Sequence, residues 1–519
     1  MIKVLYKYSF LVAFCAFSLL SLAQNKTPKN IILILSDDHA YQAISAYNDR
    51  LATIAPTPNI DKLANEGIRF DRSYVGNSIC APSRATILTG KHSHKNGVLT
   101  LKESFDGSQP TIASILQNAG YQTAIIGKWH LKSEPVGFSF WDVLIDQGDY
   151  YNSDFRTAKG TEIHKGYVTD VITDKAINWL EKGRDKKQPF MMIVGNKAPH
   201  ANWIPPLQYL NTFDNVTIPE PQNLFDTHDG HISEAKQIDM TLDEMPMGWY
   251  CEIWSEPKNV PNIYEDYGGK LWQRAYGRLS KEEKQTFDSA FKDKNEAFAK
   301  ANLKGNDLIR WKYQRIMQNY LGCIKSVDDN VGRLMAYLKE NKLDENTLVI
   351  YTSDQGLFLG EHGFYDKRLM YEEAFRTPLI AYCPSIIKGG KVSNDLVQNI
   401  DYAPTILDYA GVQIPKEIQG KSLLPVMTQK KVKNWRKSLY YQYYDFPGGH
   451  NIAKHEGVRT DRYKLIHYYD LNKWEFYDLK KDPTEMKSQY ISPEYAKDIA
   501  LLKIELAKLR KQYQVPSLK

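Results

Sequence analysis

The chain has 519 residues, 42% of them hydrophobic, with 67 Lys and Arg against 61 Asp and Glu for a formal net charge of +6. Such a length supports a large core and makes two domains the default. The charge balance is too mild to argue for nucleic acid, and no stretch beyond the N-terminal leader is apolar enough to serve as an integral membrane segment.

In chain order, the first element is that leader. Lys3 and Lys7 precede an apolar run over 8–22, and Ser21-Leu22-Ala23 offers small residues for cleavage after Ala23. Residues 1–23 therefore read as a secretory signal, and the mature protein is expected to be periplasmic or secreted. The run is too short for an anchor, and Cys15 after Phe14 is a poor context for lipid attachment. Cleavage leaves Cys80, Cys251, Cys323 and Cys383; if Cys80 is modified the remaining three cannot all pair, so disulfides are not expected to hold the protein together.

From 31 onward, short β-branched or apolar runs at 31–35, 121–126, 190–194, 347–351 and 378–382 alternate with helical patterns at 58–66, 111–119, 168–182 and 311–340. This is the pattern of an α/β fold, a large and mostly parallel sheet sandwiched by helices. In the last helix Asp328-Asp329-Asn330 reads as a solvated polar face rather than a metal site. Residues 205–310 interrupt the alternation with prolines, charges and aromatics including Trp249, Trp254 and Trp272, and read as a long irregular insertion near the active face. Lys430, Lys431, Lys433, Arg436 and Lys437 read as a solvated linker. Beyond them a smaller C-terminal domain is expected, an antiparallel sheet with a turn at Arg459-Thr460-Asp461-Arg462 and a terminal helix opened by Ser492-Pro493. The expected division is 24–430 and 431–519.

Ligands in open α/β sheets collect outside the carboxyl ends of the strands, and four of these runs end in unusual polar residues. Asp37 and Asp38 follow the first, Lys128 and His130 the second, His200 the third, and Asp354 and Gln355 the fourth. Three carboxylates and an amide oxygen suit a hard divalent cation, Ca²⁺ rather than zinc. Lys128-Trp129-His130 places a cation and a titratable ring on one side of an extended segment. Cys80-Ala81-Pro82-Ser83-Arg84 opens a short helix that Gly90 ends, with Pro82 suited to its first position. The helix N-terminus favours an anion, and Arg84 adds a bidentate donor one turn in.

Together Ser36-Asp37-Asp38, Cys80 through Gly90, Gly127-Lys128-Trp129-His130, Pro199-His200, Ser353-Asp354-Gln355-Gly356 and Gly360-Glu361-His362-Gly363 with Lys367 resemble the type I, formylglycine-dependent sulfatases of the alkaline phosphatase superfamily. The resemblance implies hydrolysis of sulfate esters with one Ca²⁺ held by Asp37, Asp38, Asp354, Gln355 and residue 80. It also implies a maturation enzyme that converts Cys80 to formylglycine. Lys128 and Lys367 would hold sulfate, His200 would protonate the leaving oxygen, and His130 would take a proton from the hydrated aldehyde. Gln355 departs from the Asn or His of many relatives but still offers an oxygen.

The resemblance extends to sulfatases acting on sulfated carbohydrates, so the expected partner is a sulfated oligo- or polysaccharide, from a glycosaminoglycan or from an algal polymer such as ulvan or carrageenan. Asp366, Arg368, His450 and His455 are the candidates for sugar contact, the two histidines lying in a Gly-bearing loop at 447–455. A phosphonate or phosphate ester hydrolase is the alternative within the superfamily. A non-catalytic sugar-binding relative is disfavoured by the retained Cys80, Lys128, His130, His200 and Lys367.

Overall fold

The fold is that of a computed structural model, which describes residues 29–253, 267–429 and 432–518. The leader expected over 1–23, Trp254, Lys430 and Lys431 lie outside the described residues. A ten-stranded sheet forms the frame, in the order Lys391–Ser393, Ile68–Phe70, Leu379–Tyr382, Thr347–Ser353, Asn30–Ser36, Phe190–Gly195, Gln122–Gly127, Phe140–Leu144, Asp154–Thr157 and Gly160–Ile163. The strands from Thr347–Ser353 through Phe140–Leu144 run parallel.

The central strand shows why its sequence is an unbroken apolar run. Ile31, Leu33 and Leu35 pack into one buried cluster and Ile32 and Ile34 into another, so helices cover both faces. Each such side chain contributes about 1.5–3 kcal/mol on full burial. Leu63, Ile172 and Val327, from helices Pro58–Glu66, Val168–Asn178 and Gly305–Glu340, lie on one face, while Leu116 from Ile112–Asn118 lies on the other. The expected strand at 378–382 is present but runs antiparallel to both neighbours. The connection from Ser353 carries the Glu361–Gly363 turn and the short helix Glu372–Phe375, and no long crossover helix of the kind that usually joins parallel strands.

Two polar segments differ from their expected roles. Asp328 is buried rather than solvated, because its carboxylate accepts from the backbone N–H groups of Asn59 at 3.0 Å and Ile60 at 2.8 Å and so satisfies the N-terminus of Pro58–Glu66. Arg436 leaves the expected linker, its guanidinium paired with both Asp401 oxygens at 2.6 and 2.5 Å. The 205–310 segment is also less irregular than its composition suggests. It contains helices Tyr267–Gly277 and Lys281–Ala301, the second opened by a reciprocal Ser280/Glu283 cap, and buried Trp272 packs on Tyr276 and Phe287.

The C-terminal sheet pairs Ser438–Tyr443, His455–Thr460, Tyr463–Tyr468 and Lys473–Asp478 in antiparallel sequence, with the turn where Asp461 and Arg462 stand. Helix Ala496–Tyr513 closes it by burying Ile499, Leu502, Leu506 and Leu509. All four cysteines among the described residues are buried free thiols.

Candidate active site

Register brings the chemistry together. Ser36 pairs with Ser353, Leu35 with Gly195, and Gly127 with Gly195, so these parallel strands finish flush and release their polar followers on the same edge. Helix Cys80–Thr89 enters from the side. Every one of its residues is buried, and Gly90 ends it in the left-handed conformation at φ 65°. The helix begins at Cys80, which puts Pro82 in its third position rather than its first; the first-turn N–H groups lack helical partners, so the proline is equally tolerated there.

Three cations face three carboxylates at this edge. Lys128 Nζ donates to Asp37 Oδ2, Lys367 Nζ donates to Asp38 Oδ2 at 2.5 Å, and Arg84 Nε donates to Asp354 Oδ2 at 2.9 Å. Arg84 also donates to the Lys128 carbonyl at 2.9 Å. Burial alone would raise the Asp37 carboxyl, but Lys128, His200, Arg84 and Lys367 hold it well below the ordinary range. Burial and the charge of Asp37 push Asp354 the other way, up to about 8, and burial also raises Asp38.

This arrangement fits a hard cation. One oxygen from each of Asp37, Asp38 and Asp354 lies within 4.8 Å of the others. Among the described residues, Asp37 Oδ1 and Gln355 Oε1 are buried oxygens without a hydrogen-bond partner. A divalent ion would satisfy both atoms and relieve the repulsion that raises Asp354.

Cys80 is buried beside this cluster, and burial pushes its thiol up to about 12. Unmodified, it is a neutral and weak nucleophile at ordinary pH. His200 Nε2 stands 3.7 Å from Asp38 Oδ2, and its Nδ1 donates to the Ala201 carbonyl at 2.5 Å, so Nε2 is the nitrogen left to face the cavity. Burial holds His200 neutral, well below its usual range.

His130 does not lie on an extended segment with Lys128. It takes a left-handed backbone at φ 58°, and its Nε2 meets Gln147 Nε2 at 3.1 Å. Gln147 Oε1 in turn accepts from Lys128 Nζ, so one amide joins the two residues. Gln147 is a site residue that sequence reasoning missed, although the same strand-end rule would locate it: it follows Phe140–Leu144 in the parallel set.

A cavity of about 200 Å³ opens over Cys80, lined by Asp38, Gln147, His200, Lys367, Asp366, Arg368 and His450. Arg368 donates to Asp366 Oδ2 at 2.5 Å, and His450 Nε2 donates to the same oxygen at 2.8 Å. Gly449 permits this packing, since a Cβ there would stand 2.7 Å from the Arg368 guanidinium. Trp203, Trp249, Tyr250 and Tyr365 form an aromatic wall, with the Tyr250 and Tyr365 rings edge to face at 4.9 Å. The 205–310 segment thus supplies part of the pocket. It is held there by Leu242, whose N–H donates to the Gly363 carbonyl at 2.8 Å.

His455 is not part of this pocket. It begins a strand of the C-terminal sheet, is fully buried, and stacks on Tyr441 and Tyr443 while its Nδ1 donates to the Ala453 carbonyl at 2.8 Å.

The fold and this edge define a sulfuric ester hydrolase. Residues 29–412 match the family model described as Sulfatase, and 360–512 match N-sulphoglucosamine sulphohydrolase, C-terminal. The chain belongs to the sulfatase family. It is 46% identical over 498 residues, 95% of this chain and 88% of the relative, to an N-acetylglucosamine-6-O-sulfatase of Bacteroides thetaiotaomicron. It is 28% identical over 442 residues, 80% of this chain and 67% of the relative, to the N-acetylglucosamine-6-sulfatase of Homo sapiens. A solved structure in complex with its substrate D-glucosamine-2-N,6-O-disulfate superimposes with a TM-score of 0.90 at 45% identity, covering 95% of this chain and 99% of that one. A phosphonate monoester hydrolase from Silicibacter pomeroyi shares the fold at 21% identity and a TM-score of 0.68.

Proposed function

We propose that this sulfatase removes the 6-O-sulfate from glucosamine units of glycosaminoglycan type, with residue 80 as formylglycine and Ca²⁺ held by Asp37, Asp38, Asp354 and Gln355. The observation that carries the substrate is the 46% identity over 95% of the chain to an N-acetylglucosamine-6-O-sulfatase. That relative favours glucosamine over the ulvan and carrageenan units the motifs left open. The hydrated aldehyde would supply a nucleophile that buried Cys80 lacks as a thiol, and the cation would draw charge from the sulfate oxygens.

The chain's own residues do the rest. Lys128 and Lys367 bind different carboxylates of the cluster, Asp37 and Asp38, and can exchange carboxylate for sulfate oxygen as the ester enters. His200, held neutral by burial, gains its proton against the negative charge of the bound sulfate and gives it from Nε2 to the departing O6. His130 accepts a proton in the step that releases sulfate. On a 6-sulfated hexose the next ring hydroxyl is on C4, so the Asp366–Arg368–His450 triad beside Lys367 is assigned to that hydroxyl.

The reading includes export through the leader at 1–23 and maturation of Cys80 by a formylglycine-generating enzyme. It is tested by hydrolysis, with the products identified, across a panel: 6-sulfated N-acetylglucosamine, N-sulfated glucosamine 6-sulfate scored for loss of the 6-O-sulfate, carrageenan and ulvan oligosaccharides, and a phosphonate monoester scored for alcohol release. Release from the two glucosamine sulfates alone is the expected result. Preferential turnover of an algal oligosaccharide or of the phosphonate would overturn the assignment.

A further inference from the structure

Away from the strand-end pocket, the described residues bring histidines and a carboxylate together at one more place. Asp226 and His231 come from the 205–310 segment, and His362 comes from the Gly360-Glu361-His362-Gly363 turn that leads to Lys367. His231 Nε2 stands 3.1 Å and His362 Nδ1 2.8 Å from Asp226 Oδ2, and the three ligand atoms lie within 4.8 Å of one another. The three side chains are 5% exposed or less.

The surroundings hold two of the three residues from behind. His231 Nδ1 is 2.9 Å from the hydroxyls of both Tyr371 and Tyr477, with Glu475 Oε1 at 3.8 Å. Asp226 Oδ1 accepts from the His228 N–H at 2.9 Å. The outer atoms of His231 and Asp226 are thus occupied while the inner ones converge, the arrangement by which partners behind a ligand orient it toward a metal; the outer Nε2 of His362 is buried without a hydrogen-bond partner. His362 aims its Nδ1 inward from a left-handed backbone at φ 54°, unfavourable for a residue with a side chain. His231 lines a cavity of about 140 Å³ and Asp226 and His362 line another of about 350 Å³, so each member of the cluster borders a cavity.

We propose that Asp226, His231 and His362 form a second metal site, which takes a borderline divalent cation of the zinc type. Two imidazole nitrogens and one carboxylate oxygen are a zinc-like donor set, unlike the all-oxygen set at the strand ends. Zinc bonds of roughly 2.0–2.1 Å place tetrahedral ligands roughly 3.3 Å apart, so the observed spacing opens by a few tenths of an ångström on binding. The bound ion would pin the 205–310 segment to the turn that delivers Lys367. The competing arrangement is a metal-free carboxylate bridging two imidazoles by hydrogen bonds.

Untagged wild-type protein, stripped with a chelator and reloaded with excess Ca²⁺, is titrated with Zn²⁺ by calorimetry and separately with Co²⁺ by visible absorption. The same titrations in Cys80→Ala exclude the thiol that neighbours Asp37 and His200. The expected result is one zinc equivalent in both proteins, a rise in melting temperature, and tetrahedral cobalt bands. Affinity should fall at least tenfold in His231→Gln and His362→Gln. No zinc uptake in the presence of Ca²⁺, or uptake unchanged in either variant, overturns the site. Should the variants fail to fold, the Cys80→Ala cobalt spectrum decides alone: absent or octahedral bands overturn the proposal.

Discussion

Arg84 Nε donates to Asp354 Oδ2 at 2.9 Å, and this contact ties the helix that presents Cys80 to the strand end that presents the oxygen ligands. Both partners are buried, so the pair locks two parts of the site that are 270 residues apart in the chain. Losing either partner leaves a buried charge, at a cost of about 3–5 kcal/mol.

Asp354→Ala is therefore expected to abolish sulfate release and to lower the melting temperature. The metal assignment adds a sharper expectation. Chelation should reversibly inactivate the wild type and destabilise it, by about 2.7 kcal/mol if the ion was present at a hundred times its Kd. With Zn²⁺ kept in excess so that the separate Asp226–His231–His362 site stays filled, Asp354→Ala should show no such response to Ca²⁺ removal. Differential scanning fluorimetry with and without Ca²⁺ reads both; an identical chelator response in the variant contradicts the assignment.

Cys80→Ala and Cys80→Ser should be inactive, and so should wild-type protein made in a host without the maturation enzyme. In that last case the thiol, pushed up to about 12 by burial, stays protonated across the working range of pH. Peptide mass spectrometry of active preparations should find the aldehyde at position 80. Full activity in a preparation holding only unmodified Cys80 would contradict the nucleophile assigned here.

His200→Asn should lower kcat on a sugar sulfate by roughly 10²–10⁴-fold, the range of a general acid. On an aryl sulfate, whose leaving oxygen needs no proton, the loss should be much smaller. Equal losses on both substrates would move His200 from proton donor to structural support.

Asp366→Asn and His450→Ala should reduce kcat/KM for the sugar by about 10–100-fold, the worth of a hydrogen bond to a charged group, while an aryl sulfate without sugar hydroxyls is little affected. His455→Phe is the contrasting case. Because His455 stacks between Tyr441 and Tyr443 inside the C-terminal sheet, that change should alter thermal stability and leave KM for the sugar unchanged.

Much of this site is legible in the sequence because its parts are local. Asp37 and Asp38, Lys128, His200, and Asp354 and Gln355 each follow an apolar run that is buried on both faces, and the Cys80 helix carries its own start and stop. Gln147 escaped because its strand, Phe140–Leu144, is exposed or half-buried in its first two residues and so does not form an apolar run. His455 was misplaced because it sits one residue beyond the loop, where the strand begins and side chains alternate between faces. Asp328 was misread because its partners, Asn59 and Ile60, lie 269 and 268 residues away, and helix periodicity carries no trace of so distant a cap. The 205–310 insertion was expected near the active face, but which of its aromatics reach the pocket was not legible, since the position of Trp249 and Tyr250 depends on tertiary pairing with the turn at Gly363.

The central claim is a pocket that reads glucosamine 6-sulfate through Lys367 at the sulfate and the adjoining Asp366–Arg368–His450 triad at the sugar. Its most direct test compares kcat/KM for N-acetylglucosamine 6-sulfate and N-acetylgalactosamine 6-sulfate, which differ only in the configuration of the 4-hydroxyl. A preference for the glucosamine sugar of at least tenfold, lost in Asp366→Asn, is the expected result. Equal turnover of the two epimers by the wild type would contradict it.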